Sequence, residues 1–179
     1  VVYPSNPQDA KGLLLAAFED PNPVLFFEHK FLYRSLKGNV PAGYYNTPIG
    51  KAASVQHGTD LTIITYGLGV HWALEAAAER PQHSFEILDL RTLLPLDLDA
   101  IIAAASKTGR VIVLHEDTLT AGIGGEIVAM VNEHCFEQLD APVLRVASLD
   151  TPVPFAADLE QQFLAQRRLL PSIDKLLAY

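Results

Sequence analysis

Leu61 to Arg80 constrains this fold more than any other stretch. The β-branched and aromatic residues from Thr62 to Tyr66 predict a short buried strand. Gly67 and Gly69 then turn the chain, and Val70, Ala73, Leu74, Ala77 and Ala78 recur at helical spacing. The same alternation returns downstream, which predicts a three-layer α/β domain over about 58–179 with a mostly parallel sheet.

In front of that domain, Ser5 or Asn6 can cap a helix with Pro7 in its first turn, Asp9 near the positive end of its dipole and a core face of Leu13, Leu14, Ala17 and Phe18. Pro21 and Pro23 stop it, and Val24 to Phe27 reads as a buried strand. Residues 1–34 are thus a helix and two strands that cannot close a core alone, the terminal piece of another α/β domain. A strand at Val1-Val2-Tyr3 running straight into a helix reads as the start of a truncated chain. Residues 35–57 shift to Gly, Pro, Asn and Tyr and form a crossover, with a pair of short edge strands expected around Ile49–Val55.

Downstream, strands are expected at Ser84–Leu90, Val111–Leu114 and Val143–Ala147. A helix enters through Asp97 or Asp99, carries Leu98, Ile101, Ile102 and Ala105 on one face, and stops at Gly109. Another runs from Ile123 to about Leu139, and a helical tail occupies Ala157–Arg167 and Ser172–Ala178.

A net charge of −8 and a pI near 5.1 argue against nucleic-acid or anionic-membrane partners, either of which wants a basic face. No apolar run approaches a bilayer span and no leader pattern opens the sequence, so the chain reads as soluble and unexported. Its one cysteine, Cys135, reads as a small core residue.

Candidate chemistry is sparse. Gly122-Ile123-Gly124-Gly125-Glu126 opens a helix and serves either phosphate binding or close packing. His115-Glu116-Asp117 ends a strand, where α/β sheets place function, and Glu28-His29-Lys30 follows another. Asp140, in Leu139-Asp140-Ala141-Pro142-Val143, sits in a turn. His57, His71, His83 and His134 form no metal-ligand spacing. No self-sufficient catalytic set emerges.

Val1-Val-Tyr-Pro-Ser, Asp9-Ala-Lys-Gly-Leu-Leu, Asn22-Pro-Val, Glu28-His-Lys, Leu32-Tyr-Arg, Ile64-Thr-Tyr-Gly, Asp89-Leu-Arg-Thr-Leu-Leu-Pro, Lys107-Thr-Gly-Arg, His115-Glu, Leu139-Asp-Ala-Pro and Asp150-Thr-Pro resemble, in order over the whole chain, the thiamine-dependent 2-oxo acid dehydrogenase β subunit. The resemblance implies the end of a pyrimidine-binding domain at 1–34, a linker at 35–57 and a transketolase C-terminal-type domain at 58–179. It implies an enzyme that decarboxylates a 2-oxo acid on thiamine diphosphate and passes the acyl group to a lipoyl-acyltransferase core. The family's cofactor-activating glutamate and active-site histidine lie upstream of Val1, and its diphosphate and magnesium site belongs to the α subunit or an α half of a fused chain. The expected partners are therefore that α part, a second β subunit and the acyltransferase core.

By the same resemblance, Ala17, Phe18, Asp20 and Asn22 match the positions that hold a structural potassium ion. Asp140 and the terminal carboxylate of Tyr179 match the positions that receive a basic subunit-binding domain. His115-Glu116, Leu119-Thr120, Cys135-Phe136 and Asp150-Thr151-Pro152 look more like the branched-chain enzyme, acting on 3-methyl-2-oxobutanoate, than the pyruvate enzyme. A deoxyxylulose phosphate synthase, built on the same domain, is the alternative class, and a non-enzymatic adaptor is more distant. The implied compartment is the bacterial cytoplasm or the mitochondrial matrix.

Overall fold

The computed structural model describes all 179 residues, Val1–Tyr179. Helices α1 (Pro7–Glu19) and α2 (Leu32–Ser35) precede a sheet whose strands are β1 (Ala53–Gln56), β2 (Leu61–Thr65), β3 (Phe85–Asp89), β4 (Val111–Thr118) and β5 (Leu144–Ser148). Between and after them come α3 (Leu68–Ala78), α4 (Leu98–Thr108), α5 (Gly124–Cys135), α6 (Ala157–Phe163) and α7 (Gln166–Leu177). The strand order is β1-β3-β2-β4-β5; β2 to β5 are parallel and β1 is antiparallel to β3.

Every residue of β2 and β3 is buried, because helices cover both faces of the sheet. Successive side chains alternate between faces, so Ile63 packs with Trp72 of α3 and Leu169 and Ile173 of α7, while Ile64 packs with Ile101 of α4 and Ile127 and Val131 of α5. This is the expected three-layer arrangement, and Cys135 lies fully buried in the second cluster. Asp97 caps α4 by accepting the Ala100 N–H, and Gly109 ends that helix in the left-handed conformation at φ 65°.

Several local expectations are corrected. In α1, Asn6 is the cap, but Leu14 and Phe18 face solvent. The helix lies against the crossover, where Gly12 admits Thr47 and Lys11 donates to the carbonyls of Pro41 and Gly43, so its other face is left bare. Val24 to Phe27 forms no buried strand; with no partner sheet it makes one bridge, Phe26 to Val2. The edge holds a single strand, β1, because its outer side has nothing to pair with.

In α3, Trp72 and Ala76 take core positions while Ala78 is exposed, so the apolar face is rotated from the expected one. Strand β4 runs on to Thr118, since β5 gives it a partner as far as Ser148. The α-helix after Gly124 stops at Cys135 and tightens into a 3-10 turn at Phe136–Gln138. At the tail, α7 passes through Pro171: Leu169, Ile173 and Leu176 are buried on one face, and their packing outweighs the hydrogen bond that proline cannot give.

Candidate functional site

A doubly wound sheet opens a crevice where its winding reverses. Here β2 leads through α3 to β3 on one side, and β4 leads through α5 to β5 on the other, so the carboxyl ends of β2 and β4 flank that point. Tyr66 follows β2, and His115 and Glu116 belong to the end of β4. The N-terminal segment crosses above them and brings Tyr3, Phe27 and His29.

The Tyr3 ring lies 5.5 Å from Tyr66 and 6.2 Å from Phe27, centroid to centroid. Gly67, at φ 54°, makes room: a Cβ there would stand 3.1 Å from the Tyr3 ring. Burial, with the Glu116 charge adding to it, lifts the Tyr3 phenol to about 12; burial and Asp117 raise Tyr66 as well. Both hydroxyls are therefore neutral donors at physiological pH.

His29 Nε2 lies 2.7 Å from Glu116 Oε2. A carboxylate only accepts, so Nε2 carries the hydrogen, and Nδ1 is left buried with no partner. Glu28 instead accepts from the Tyr33 hydroxyl at 2.5 Å, and Lys30 is exposed, so the three residues of that motif separate. A cavity of about 520 Å³ opens on one side of Glu116, and one of about 430 Å³ on the other.

A second set of polar contacts holds the segment in place. Asp89 is fully buried and accepts from the Ser5 hydroxyl at 2.5 Å and the Arg91 N–H at 3.0 Å; burial raises its carboxyl to about 7. The Arg91 guanidinium donates to Asp9 at 3.1 Å and to the carbonyls of Lys51 and Ala52, each at 3.0 Å. His71 Nε2 donates to the Ser5 carbonyl at 2.8 Å.

His115 does not join the crevice. Its ring is fully buried with neither nitrogen partnered, burial depresses its basicity, and a Cβ on Gly122 or Gly124 would overlap it. The glycines at the start of α5 thus make space for this ring, which accounts for them by close packing. The other histidines are dispersed: His57 and His83 lie 3.5 Å from Glu86 and 3.9 Å from Asp60. No three His, Cys, Asp or Glu residues converge as metal ligands, and no helix is long and apolar enough to cross a membrane.

Ala17, Phe18, Asp20 and Asn22 lie together at the end of α1. Asp20 Oδ1 accepts the Asn22 N–H at 2.9 Å and its side-chain amide at 3.1 Å. Asp140 donates its N–H to the Gly109 carbonyl at 2.8 Å and pairs with Arg110 at 3.3 Å, its side chain still 56% exposed. Tyr179 is exposed, and no hydrogen bond or ion pair joins it to Asp140. The sequence reading missed Tyr3, Tyr66 and Trp72 as crevice residues; a tyrosine immediately after the first buried strand was the available signal.

Residues 50–168 match the model of the transketolase C-terminal domain. Over 167 residues, covering 92% of this chain and 51% of that protein, the sequence is 53% identical to the 2-oxoisovalerate dehydrogenase subunit beta of Bacillus subtilis. It is 51% identical over 158 residues, 87% of this chain and 49% of that protein, to the pyruvate dehydrogenase E1 component subunit beta of the same organism. The chain therefore spans about half the length of these relatives. Among solved structures, a split-gene transketolase described as an inactive β4 tetramer superposes with a TM-score of 0.78 at 23% identity, over 99% of this chain and 56% of that one, a likeness of fold.

Proposed function

The chain belongs to the transketolase C-terminal domain family, and on that premise we propose that it is the C-terminal part of the β subunit of a thiamine-dependent 2-oxo acid dehydrogenase acting on 3-methyl-2-oxobutanoate and related branched-chain acids. The observation that carries this reading is the 53% identity to a 2-oxoisovalerate dehydrogenase β subunit across 92% of the chain. Pyruvate is the second reading, carried by the 51% identity to a pyruvate dehydrogenase β subunit. In this reading residues 1–34 are the end of a pyrimidine-binding domain, 35–57 a linker and 58–179 the domain that meets an α part, a second β subunit and the acyltransferase core.

No three His, Cys, Asp or Glu side chains are grouped to hold a magnesium ion, and the ring of His115 packs against the glycine-rich helix start, so the residues present do not fit a diphosphate and magnesium site. Potassium is different in its demands. Pro21 has no N–H for the Ala17 carbonyl, and the Asn22 N–H that would serve Phe18 is turned onto Asp20. Carbonyls left free at the negative end of a helix suit a hard cation, with Asp20 and Asn22 beside them. Asp140, exposed on an acidic chain, suits a basic partner such as the acyltransferase's subunit-binding domain.

One chimaera tests these readings. This chain replaces the matching half of the Bacillus subtilis 2-oxoisovalerate dehydrogenase β subunit, expressed with its α subunit. Assembly and a preference for 3-methyl-2-oxobutanoate over pyruvate are expected, and failure to assemble where the parent does would sink the proposal. Equal melting of the chimaera in potassium and in a large organic cation would remove the cation site. Unchanged affinity of the basic binding domain on Asp140→Asn would leave that residue a turn former.

A further inference from the structure

Arg80, Arg91 and Arg110 are paired with Asp174, Asp9 and Asp140, whereas Arg34, Arg145, Arg167 and Arg168 meet no carboxylate. Three of those unpaired arginines, Arg145, Arg167 and Arg168, line one cavity of about 360 Å³ between the end of β5 and the start of α7. Its walls come from Leu119 and from residues 145–172, so the N-terminal segment contributes nothing to them. Such a gathering of cations runs against the net charge of −8 carried by the chain as a whole.

The three arginines are not equivalent. Arg168 donates to the carbonyls of Ala147, Gln162, Phe163 and Leu164, which ties the tail to β5, and burial depresses its basicity because no counter-charge stands beside it. Arg145 donates one N–H to the Leu119 carbonyl at 2.8 Å, which leaves its other donors free, and the Arg167 side chain makes no hydrogen bond. Asp150 is the only carboxylate in the lining, and it already accepts the Thr120 N–H at 2.8 Å and hydroxyl at 2.7 Å.

Ser148 is the independent sign of a ligand. It lines the cavity with 1% of its surface exposed, and its hydroxyl is buried without a partner. Side chains alternate along β5, so Ser148 shares a face with Leu144 and Val146, which pack in the cluster that holds Leu169 and Ile173 of α7. The orphaned hydroxyl is therefore directed to the side on which Arg168 and Ser172 stand. A buried hydroxyl left unsatisfied is costly, and an acceptor in this cavity would relieve it.

We propose that this pocket binds the diphosphate group of a small molecule, with Arg145 and Arg167 donating to its oxygens, the Ser148 hydroxyl donating from the floor and Arg168 adding charge. The arginines less Asp150 leave two net positive charges, which a monoanion would not balance. Guanidinium forks match phosphate oxygens in geometry as well as charge. The inference stands whichever enzyme the chain serves.

Calorimetric titration of inorganic pyrophosphate onto the full chain should show saturable one-to-one binding, and acetate should give none at the same concentrations. Arg167→Gln should weaken it about tenfold, while Lys175→Gln, which removes the same charge from the last turn of α7, should leave it within about twofold. Ser148→Ala should weaken it about fivefold yet leave the unliganded chain at least as stable, since the hydroxyl it deletes satisfies nothing there. Absent or non-saturating heat, equal weakening by the two charge variants, or unchanged affinity in Ser148→Ala would each overturn the proposal. A phosphoserine peptide that binds more tightly than pyrophosphate would also overturn it, by assigning the pocket to a modified protein segment. In the chimaeric β subunit assembled with its α subunit, binding sensitive to Arg167→Gln should persist; its loss there would show that protein covers the pocket and would overturn the assignment.

Discussion

The domain from β1 onward and the first 48 residues are held by different forces. In the domain, Ile63 and Ile64 are adjacent in sequence yet buried on opposite faces, each against two helices. In the first 48 residues Val2 and Leu13 are sealed, while Leu14, Phe18, Leu25, Phe27, Phe31 and Tyr33 face solvent. That segment is attached instead by polar contacts: Ser5 to Asp89, Asp9 to Arg91 and His29 to Glu116. Packing is insensitive to pH and costly to disturb, whereas polar attachment depends on protonation. The two regions should therefore respond to different perturbations.

The largest effect is expected in the domain. Ile63→Ala removes a fully buried side chain from the centre of β2, between Trp72 and the α7 face, where collapse of the rigid sheet cannot fill the void. A loss of about 4 kcal/mol is expected. Urea unfolding followed by Trp72 emission and by far-ultraviolet dichroism measures it. A loss below about 1 kcal/mol would mean that the core is not the packed unit described.

Asp89 tests the attachment. Its carboxyl ionises near 7 when folded and near 3.8 when unfolded, so the folded chain holds a proton that the unfolded chain releases. Folded-state binding of more protons means that this group's stabilisation is complete below about pH 4 and is lost as pH rises through 7. Between pH 5.5 and 7.5 the loss from this group is about 2 kcal/mol. His115, held neutral by burial, works in the opposite direction, gaining stability as pH rises through its unfolded value. Asp89→Asn retains polar partners for Ser5 and the Arg91 N–H but does not titrate, so subtracting its pH profile from that of the parent cancels His115. Relative to the parent, the variant should gain about 2 kcal/mol on going from pH 5.5 to 7.5. A difference that stays constant with pH would show that Asp89 is ionised in the folded chain.

The same contrast explains what the sequence disclosed. The β/α alternation was legible because a parallel sheet covered on both faces demands continuous apolar strands, and β2 and β3 supply them. Asp97 and Gly109 were legible because capping is local. The crevice was not. Tyr3 and Tyr66 are far apart in sequence; the strand order, in which β4 returns to the far side of β2, sets Glu116 near Tyr66, and the N-terminal segment crossing above them brings His29 to Glu116. Helical periodicity at Leu14 and Phe18 marks an apolar face, but the expectation that it is a core face fails, because both side chains are exposed. Periodicity says that a face exists and carries no information on what lies against it.

That last point yields the smallest expected effect. Phe18 is 82% exposed at the last turn of α1, and serine differs little from phenylalanine in helix propensity. Phe18→Ser should therefore change the stability of this chain by no more than about 0.5 kcal/mol, an order of magnitude less than the loss at Ile63. A face this apolar is a candidate for burial against a second copy, and in that case the cost would rise above about 1.5 kcal/mol and depend on protein concentration. Urea midpoints for parent and variant at two concentrations a hundredfold apart, with sedimentation at each, separate the outcomes. Equal and concentration-independent midpoints would show that α1 is anchored by Gly12, Leu13 and its polar contacts, and that its outer face contributes nothing to the stability of this chain.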